Sequence, residues 1–137
     1  MKLHHIGKVV EDINKGVRYY ESTFGLKSMG KAVIDPIQKV EVVFVEMGSG
    51  NDVTIELISP MSKDSPVAAF LKQGGGLHHL CFEVKDIHKS IEEFKEKGAL
   101  VLGKPVPGKG HQDRLTVWLY TSEKELVELV ENAGEDI

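Results

Sequence analysis

Residues 3–26 read LHHIGKVVEDINKGVRYYESTFGL, and residues 77–100 read LHHLCFEVKDIHKSIEEFKEKGAL. At an offset of 74, eight of the 24 positions are identical: Leu3/Leu77, His4/His78, His5/His79, Val10/Val84, Asp12/Asp86, Ile13/Ile87, Lys15/Lys89 and Leu26/Leu100. Chance matching at ordinary composition gives roughly one or two identities, so the chain states one unit twice. Beyond these stretches, Val42-Val43-Phe44-Val45 parallels Thr116-Val117-Trp118-Leu119 at the same offset. The segment 53–58 parallels 125–130 at offset 72.

Each copy predicts the same elements. The opening segment alternates as a strand does: in the second copy Leu80, Phe82 and Val84 point one way, and His79, Cys81 and Glu83 the other. Asp12 and Asp86 stand where an N-cap belongs, ahead of apolar residues at helical spacing (Ile13, Val17, Tyr20 and Phe24; Ile87, Ile91 and Phe94). Gly25 and Gly98 end these helices. Three strands follow in each copy, expected at 27–34, 40–47 and 53–58, then at 99–106, 115–120 and 125–131. In the connector, Asp64-Ser65-Pro66 reads as cap and first turn of a short helix that Gly74-Gly75-Gly76 releases. The expected fold is therefore α+β: two tandem βαβββ modules, 3–58 and 77–131, joined by a short helical connector, 59–76, as one domain over 1–137. A single module has a helix on one face of its sheet and nothing on the other. Two modules about a pseudo-twofold axis form one curved mixed sheet with a concave cavity lined by matched positions.

Composition bounds the function classes. At 137 residues the chain is the size of one ordinary domain. Its 41% hydrophobic and 28% charged residues are those of a globule rather than a disordered chain. The net charge of −4, with no Lys/Arg block, speaks against nucleic acid as a partner. No apolar run approaches the roughly 20 residues that span a bilayer, and MKLHHIG passes into a strand pattern without a signal-peptide core. Cytoplasmic residence is the expectation, without membrane association. Cys81 is the only cysteine, expected to be a small buried strand residue.

Two pairs carry chemistry at matched positions. His5 and His79 are each the second histidine of a Leu-His-His strand start, with a small residue, Gly7 or Cys81, two positions on. Glu56 and Glu128 each interrupt an apolar strand, in Ile55-Glu56-Leu57 and Val127-Glu128-Leu129, and alternation points both away from the helix-packed side. A carboxylate on an apolar strand is costly to desolvate unless a cation or hydrogen bonds accompany it. Alone, such a glutamate reads as the exposed side of a half-solvated strand, and such a histidine as an ordinary hydrogen-bonded residue. Their joint recurrence in both copies points instead to a metal site. Two neutral imidazoles and two carboxylates balance a divalent cation and suit Zn, Co, Ni, Mn or Fe. His4 and His78 face the other side, and His88 is expected to be solvated.

These residues resemble the vicinal oxygen chelate superfamily (glyoxalase, bleomycin resistance and extradiol dioxygenase proteins), and within it methylmalonyl-CoA epimerase most closely. The resemblance is carried by His-Ile-Gly at 5–7, Ile-Glu-Leu-Ile-Ser-Pro at 55–60, Asp-Ser-Pro-Val-Ala-Ala-Phe-Leu at 64–71, Gly-Leu-His-His-Leu-Cys-Phe-Glu-Val at 76–84 and Val-Glu-Leu-Val-Glu at 127–131. It implies His5, Glu56, His79 and Glu128 as ligands of one divalent metal (Co, Zn, Ni or Mn), some epimerases having a neutral amide where Glu56 stands. It further implies an isomerase acting on an acyl-CoA thioester, which moves the proton alpha to the carbonyl through a metal-stabilised enediolate. Glu128 would serve as base, with Glu56 the candidate for the opposite face. A second acidic position of some members falls on Val42, with Glu41 adjacent.

The chain departs from the epimerase pattern in the turn 120–125, where a His-Pro-Lys and glycine-rich turn is usual, and in the loop Gly108-Lys109-Gly110-His111-Gln112-Asp113-Arg114. Cations there and in Gly103-Lys104-Pro105 are candidates for CoA phosphates, although loop cations are more often merely solvated. A glyoxalase I-like lactoylglutathione lyase is the alternative that uses the same ligand types. A metal-free drug-binding protein of the bleomycin-resistance kind is the alternative of another class, and the paired His and Glu argue against it. An extradiol dioxygenase would use two His and one Glu with iron, usually in a larger chain. Pairing into a homodimer is compatible with the sequence and not required by it.

Overall fold

A computed structural model describes residues 1–132; the end of the domain expected over 1–137 lies outside the described residues. The chain forms two compact units, His5–His78, and the chain from His79 onward together with Met1–His4.

The first unit is built from β1 (Lys2–Val9, from His5 on), α1 (Ile13–Phe24), β2 (Ser28–Asp35), β3 (Val40–Glu46), β4 (Thr54–Pro60) and α2 (Ala68–Lys72). Its strands run in the order β2-β3-β4-β1, with β1 parallel to β4 and the other neighbours antiparallel. Asp12 caps α1 as expected, its carboxylate accepting from the amide of Lys15 at 2.9 Å, and Gly25 ends it at φ 71°. Ile13 and Tyr20 bury one face of α1 on Val43, Val45 and Leu57 of the sheet. Each fully buried aliphatic side chain of that kind contributes roughly 1.5–3 kcal/mol.

The second unit repeats the plan with β5 (Gly76–Val84, from His79 on), α3 (Ile87–Glu96), β6 (Leu100–Pro107), β7 (Leu115–Tyr120) and β8 (Leu126–Glu131). Its order is β5-β8-β7-β6, with β5 parallel to β8 and the rest antiparallel. Asp86 caps α3 through the amide of Lys89 at 3.0 Å. Ile87 and Ile91 pack on Val117, Leu119, Val127 and Leu129. Even an irregularity is repeated. The β2–β3 register shifts between Met29 and Val33, the β6–β7 register between Leu102 and Val106, and each interval holds one glycine at positive φ, Gly30 (76°) or Gly103 (96°).

The connector departs from expectation twice. Helix α2 begins at Ala68, and its N-cap position is Val67, which makes no side-chain cap bond. Asp64 is drawn instead to Lys39 and Ser62, while the Ser65 hydroxyl donates to the carbonyl of Gln38 at 3.1 Å and accepts from the amide of Val67 at 3.4 Å, so Ser65 opens the turn that leads into the helix. Nor is the second face of the first unit's sheet bare. Val67, Phe70 and Leu71 pack on Val9, Val40, Val42 and Ile58, a run of apolar side chains that would otherwise face water. Among the described residues no helix is long and apolar enough to cross a membrane.

Candidate metal centre

Strand register decides where the acidic groups stand. In the first unit Glu56 of β4 lies opposite Gly7 of β1 on one side and Phe44 of β3 on the other. In the second, Glu128 of β8 lies opposite Cys81 of β5 and Trp118 of β7. Alternation sends Leu57 and Leu129 into the helix-packed cores and both glutamates to the other face, as expected. His5 and His79 stand two residues before Gly7 and Cys81, so each histidine reaches over a small residue toward the carboxylate of the neighbouring strand. Nε2 of His5 is 3.5 Å from Oε1 of Glu56, and Nε2 of His79 is 3.8 Å from Oε1 of Glu128.

All four side chains are buried: His5 is 0% exposed, Glu56 7%, His79 2% and Glu128 6%. The separations exceed the roughly 2.7–3.2 Å of N–H···O hydrogen bonds. Metal bonds of about 2.0–2.2 Å put neighbouring donor atoms about 3–3.5 Å apart, close to what each pair shows. The donor chemistry of each pair, a borderline imidazole and a hard carboxylate, fits a divalent ion.

Each histidine is also walled by an aromatic ring. His5 meets Phe44 edge to face at 5.4 Å, and His79 meets Trp118 likewise at 4.7 Å. Such contacts fix the plane of the imidazole and exclude water beside it. Phe44 and Trp118 match at the offset of 74, but an apolar ring on a strand carries no sequence signal of a role beside a histidine.

The other histidines divide differently. His78 packs its ring against Phe70 at 4.9 Å, and His4 lies 3.7 Å from Glu83, so both have structural contacts, while His88 is exposed as expected. Val42 is core, packed under α2. Two of the cations proposed for CoA phosphates have local partners: Arg114 reaches Glu83 at 3.5 Å, and Lys109 reaches Asp113 at 3.5 Å. His111, grouped with those loop cations on the sequence, is instead buried, and its Nε2 lies 3.2 Å from Oε1 of Glu128. It sits at the end of a short 3-10 turn, Lys109–His111.

A family model, the Glyoxalase/Bleomycin resistance protein/Dioxygenase superfamily, matches residues 4–117. The chain belongs to that superfamily. Among its superfamily relatives, the ethylmalonyl-CoA/methylmalonyl-CoA epimerase of Cereibacter sphaeroides is 33% identical over 124 residues, covering 89% of this chain and 90% of that protein. The mitochondrial methylmalonyl-CoA epimerase of Bos taurus is 36% identical over 116 residues, covering 77% of this chain; the match spans 64% of the bovine protein's length. Among solved structures, a variant of Streptomyces coelicolor methylmalonyl-CoA epimerase in complex with 2-nitronate-propionyl-CoA matches with a TM-score of 0.84 at 26% identity, covering 98% of this chain and 99% of that one. The glyoxalase-like fold of this superfamily is the α+β class expected from the duplication. These relatives support an enzyme of the epimerase type.

Proposed function

We propose that the chain is a divalent-metal-dependent epimerase of the methylmalonyl-CoA type, acting as one domain in which His5, Glu56, His79 and Glu128 hold one metal ion. The observation that carries this reading is the twofold recurrence of a buried His–Glu–aromatic set on three adjacent strands, His5–Glu56–Phe44 and His79–Glu128–Trp118. Neither a sequestering pocket nor a structural role requires the same costly burial of carboxylate and imidazole in both copies. Two carboxylates with neutral imidazoles balance a 2+ charge.

A bound divalent ion supplies Lewis-acid stabilisation of the negative charge that develops on a thioester oxygen when the adjacent carbon loses its proton, a contribution of several kcal/mol. The chain's own residues do the rest. Glu128 takes the alpha proton as general base. Glu56, the second buried carboxylate, serves the opposite face, so that the proton returns with inverted configuration. Phe44 and Trp118 exclude water from the two imidazoles. The substrate is an acyl-CoA thioester, by analogy with the analogue held in the Streptomyces coelicolor structure.

The test is deuterium exchange at the 2-position of methylmalonyl-CoA with metal supplied. Wild type incorporates deuterium and interconverts the epimers. His79→Ala and Glu128→Gln each lose metal or turnover while remaining folded. A wild-type chain inactive on this substrate ends the epimerase reading, and unchanged metal content and rate in both variants end the residue assignment.

A further inference from the structure

His111 has no counterpart in the first copy: the offset of 74 leads to Ile37, which is exposed. Yet it is buried against one of the two glutamates, 3.2 Å from Oε1 of Glu128, with the geometry of a hydrogen bond. Its loop is shaped to hold it there. The amide of His111 donates to the carbonyl of Gly108 at 3.0 Å, and the His111 carbonyl accepts from both the amide (3.1 Å) and the Nε (3.2 Å) of Arg114. Arg114 is anchored in turn to Glu83, which also accepts from the side-chain amide of Asn132 at 3.1 Å. The His4 ring meets the His111 ring edge to face at 5.5 Å. Gln112 and Asp113 turn the chain through two successive left-handed conformations, φ 56° and 62°, which L residues adopt only when their surroundings impose them.

We propose that His111 is a positioning residue for Glu128, donating its ring N–H to Oε1 and so restricting how that carboxylate can turn. The proposal rests on the four-ligand reading above and adds to it a residue particular to the second copy. An outer hydrogen bond of this kind limits the rotations of a ligand carboxylate and orders it before the ion arrives. Removing such a partner typically weakens metal binding about 10–100-fold.

The experiment measures Co2+ affinity by chelator competition, together with the absorption spectrum of the bound ion, for wild type, His111→Ala and His111→Gln. Thermal melts establish that each variant is folded. His111→Ala loses about 10–100-fold in affinity with an unchanged spectral shape, and His111→Gln, whose amide N–H can still donate, recovers most of the loss. A His111→Ala protein that binds as wild type overturns the positioning role while leaving the metal reading intact. A changed spectrum that glutamine does not restore makes His111 a ligand and overturns the role as well. A wild-type chain that binds no Co2+ takes down the metal reading and this role together.

Discussion

Glu128 stands directly opposite Cys81 in the parallel β5–β8 pair, the same register in which Glu56 stands opposite Gly7 in β1–β4. The small residue leaves the histidine two positions earlier free to lean toward the carboxylate. What the duplication preserved is thus a three-strand arrangement with a fixed register, rather than two residue types alone.

The strict alternation around each glutamate separates stability from chemistry. Leu129, fully buried, points to the α3 side while its neighbour Glu128 points away. Leu129→Ala is expected to lose about 2–5 kcal/mol in urea unfolding. Its folded fraction should bind Co2+ with wild-type affinity. A loss of affinity with stability intact would mean that the two faces are not independent.

Gly108 is a tight spot under His111. A β-carbon there falls 2.8 Å from Cγ2 of Thr116 and 3.1 Å from Cδ2 of His111. Gly108→Ala should cost about 1–3 kcal/mol by overpacking and, by pushing the loop outward, weaken Co2+ binding in the same direction as His111→Ala. Unfolding and chelator competition on the same preparation check both effects.

Asp64 couples the connector to the start of β3. The Lys39 ammonium, and after it the Ser62 hydroxyl, hold its carboxyl at about 2, below the ordinary 3.8. A carboxyl depressed in the folded state stabilises fully above its unfolded value and loses that contribution as pH falls toward its folded one. Asp64→Asn should therefore be less stable than wild type near neutrality, with the gap closing between about pH 4 and about pH 2. Acid titration of the two melting temperatures checks this, and a gap that does not change with pH contradicts it.

How much of this was legible beforehand follows from what repeats. The helix caps Asp12 and Asp86, the strands and the two His–Glu pairs recur at nearly constant offset, and each copy corroborated the other. Phe44 and Trp118 recurred as well, but nothing in an aromatic strand residue announces that it walls a histidine; only the register does. His111 was illegible as a site residue because it has no repeat partner and lies in a polar loop whose burial depends on Glu83, Arg114 and His4, far apart in sequence. The start of α2 was legible only in part for a related reason. Asp64 has the chemistry of a cap, but Lys39, 25 residues away in sequence, holds its carboxylate, whereas Ser65 does accept from the amide of Val67 in the turn before the helix.

If two copies of one His–Glu pair serve a single ion, metal stoichiometry reveals it. Wild type, His5→Ala and His79→Ala, each verified as folded, are dialysed against Co2+ and analysed for metal per chain. One ion per chain is expected in wild type and none held tightly by either variant, since each would lack a ligand of the same ion. Two ions in wild type, or an ion retained in full when either histidine is gone, would contradict it.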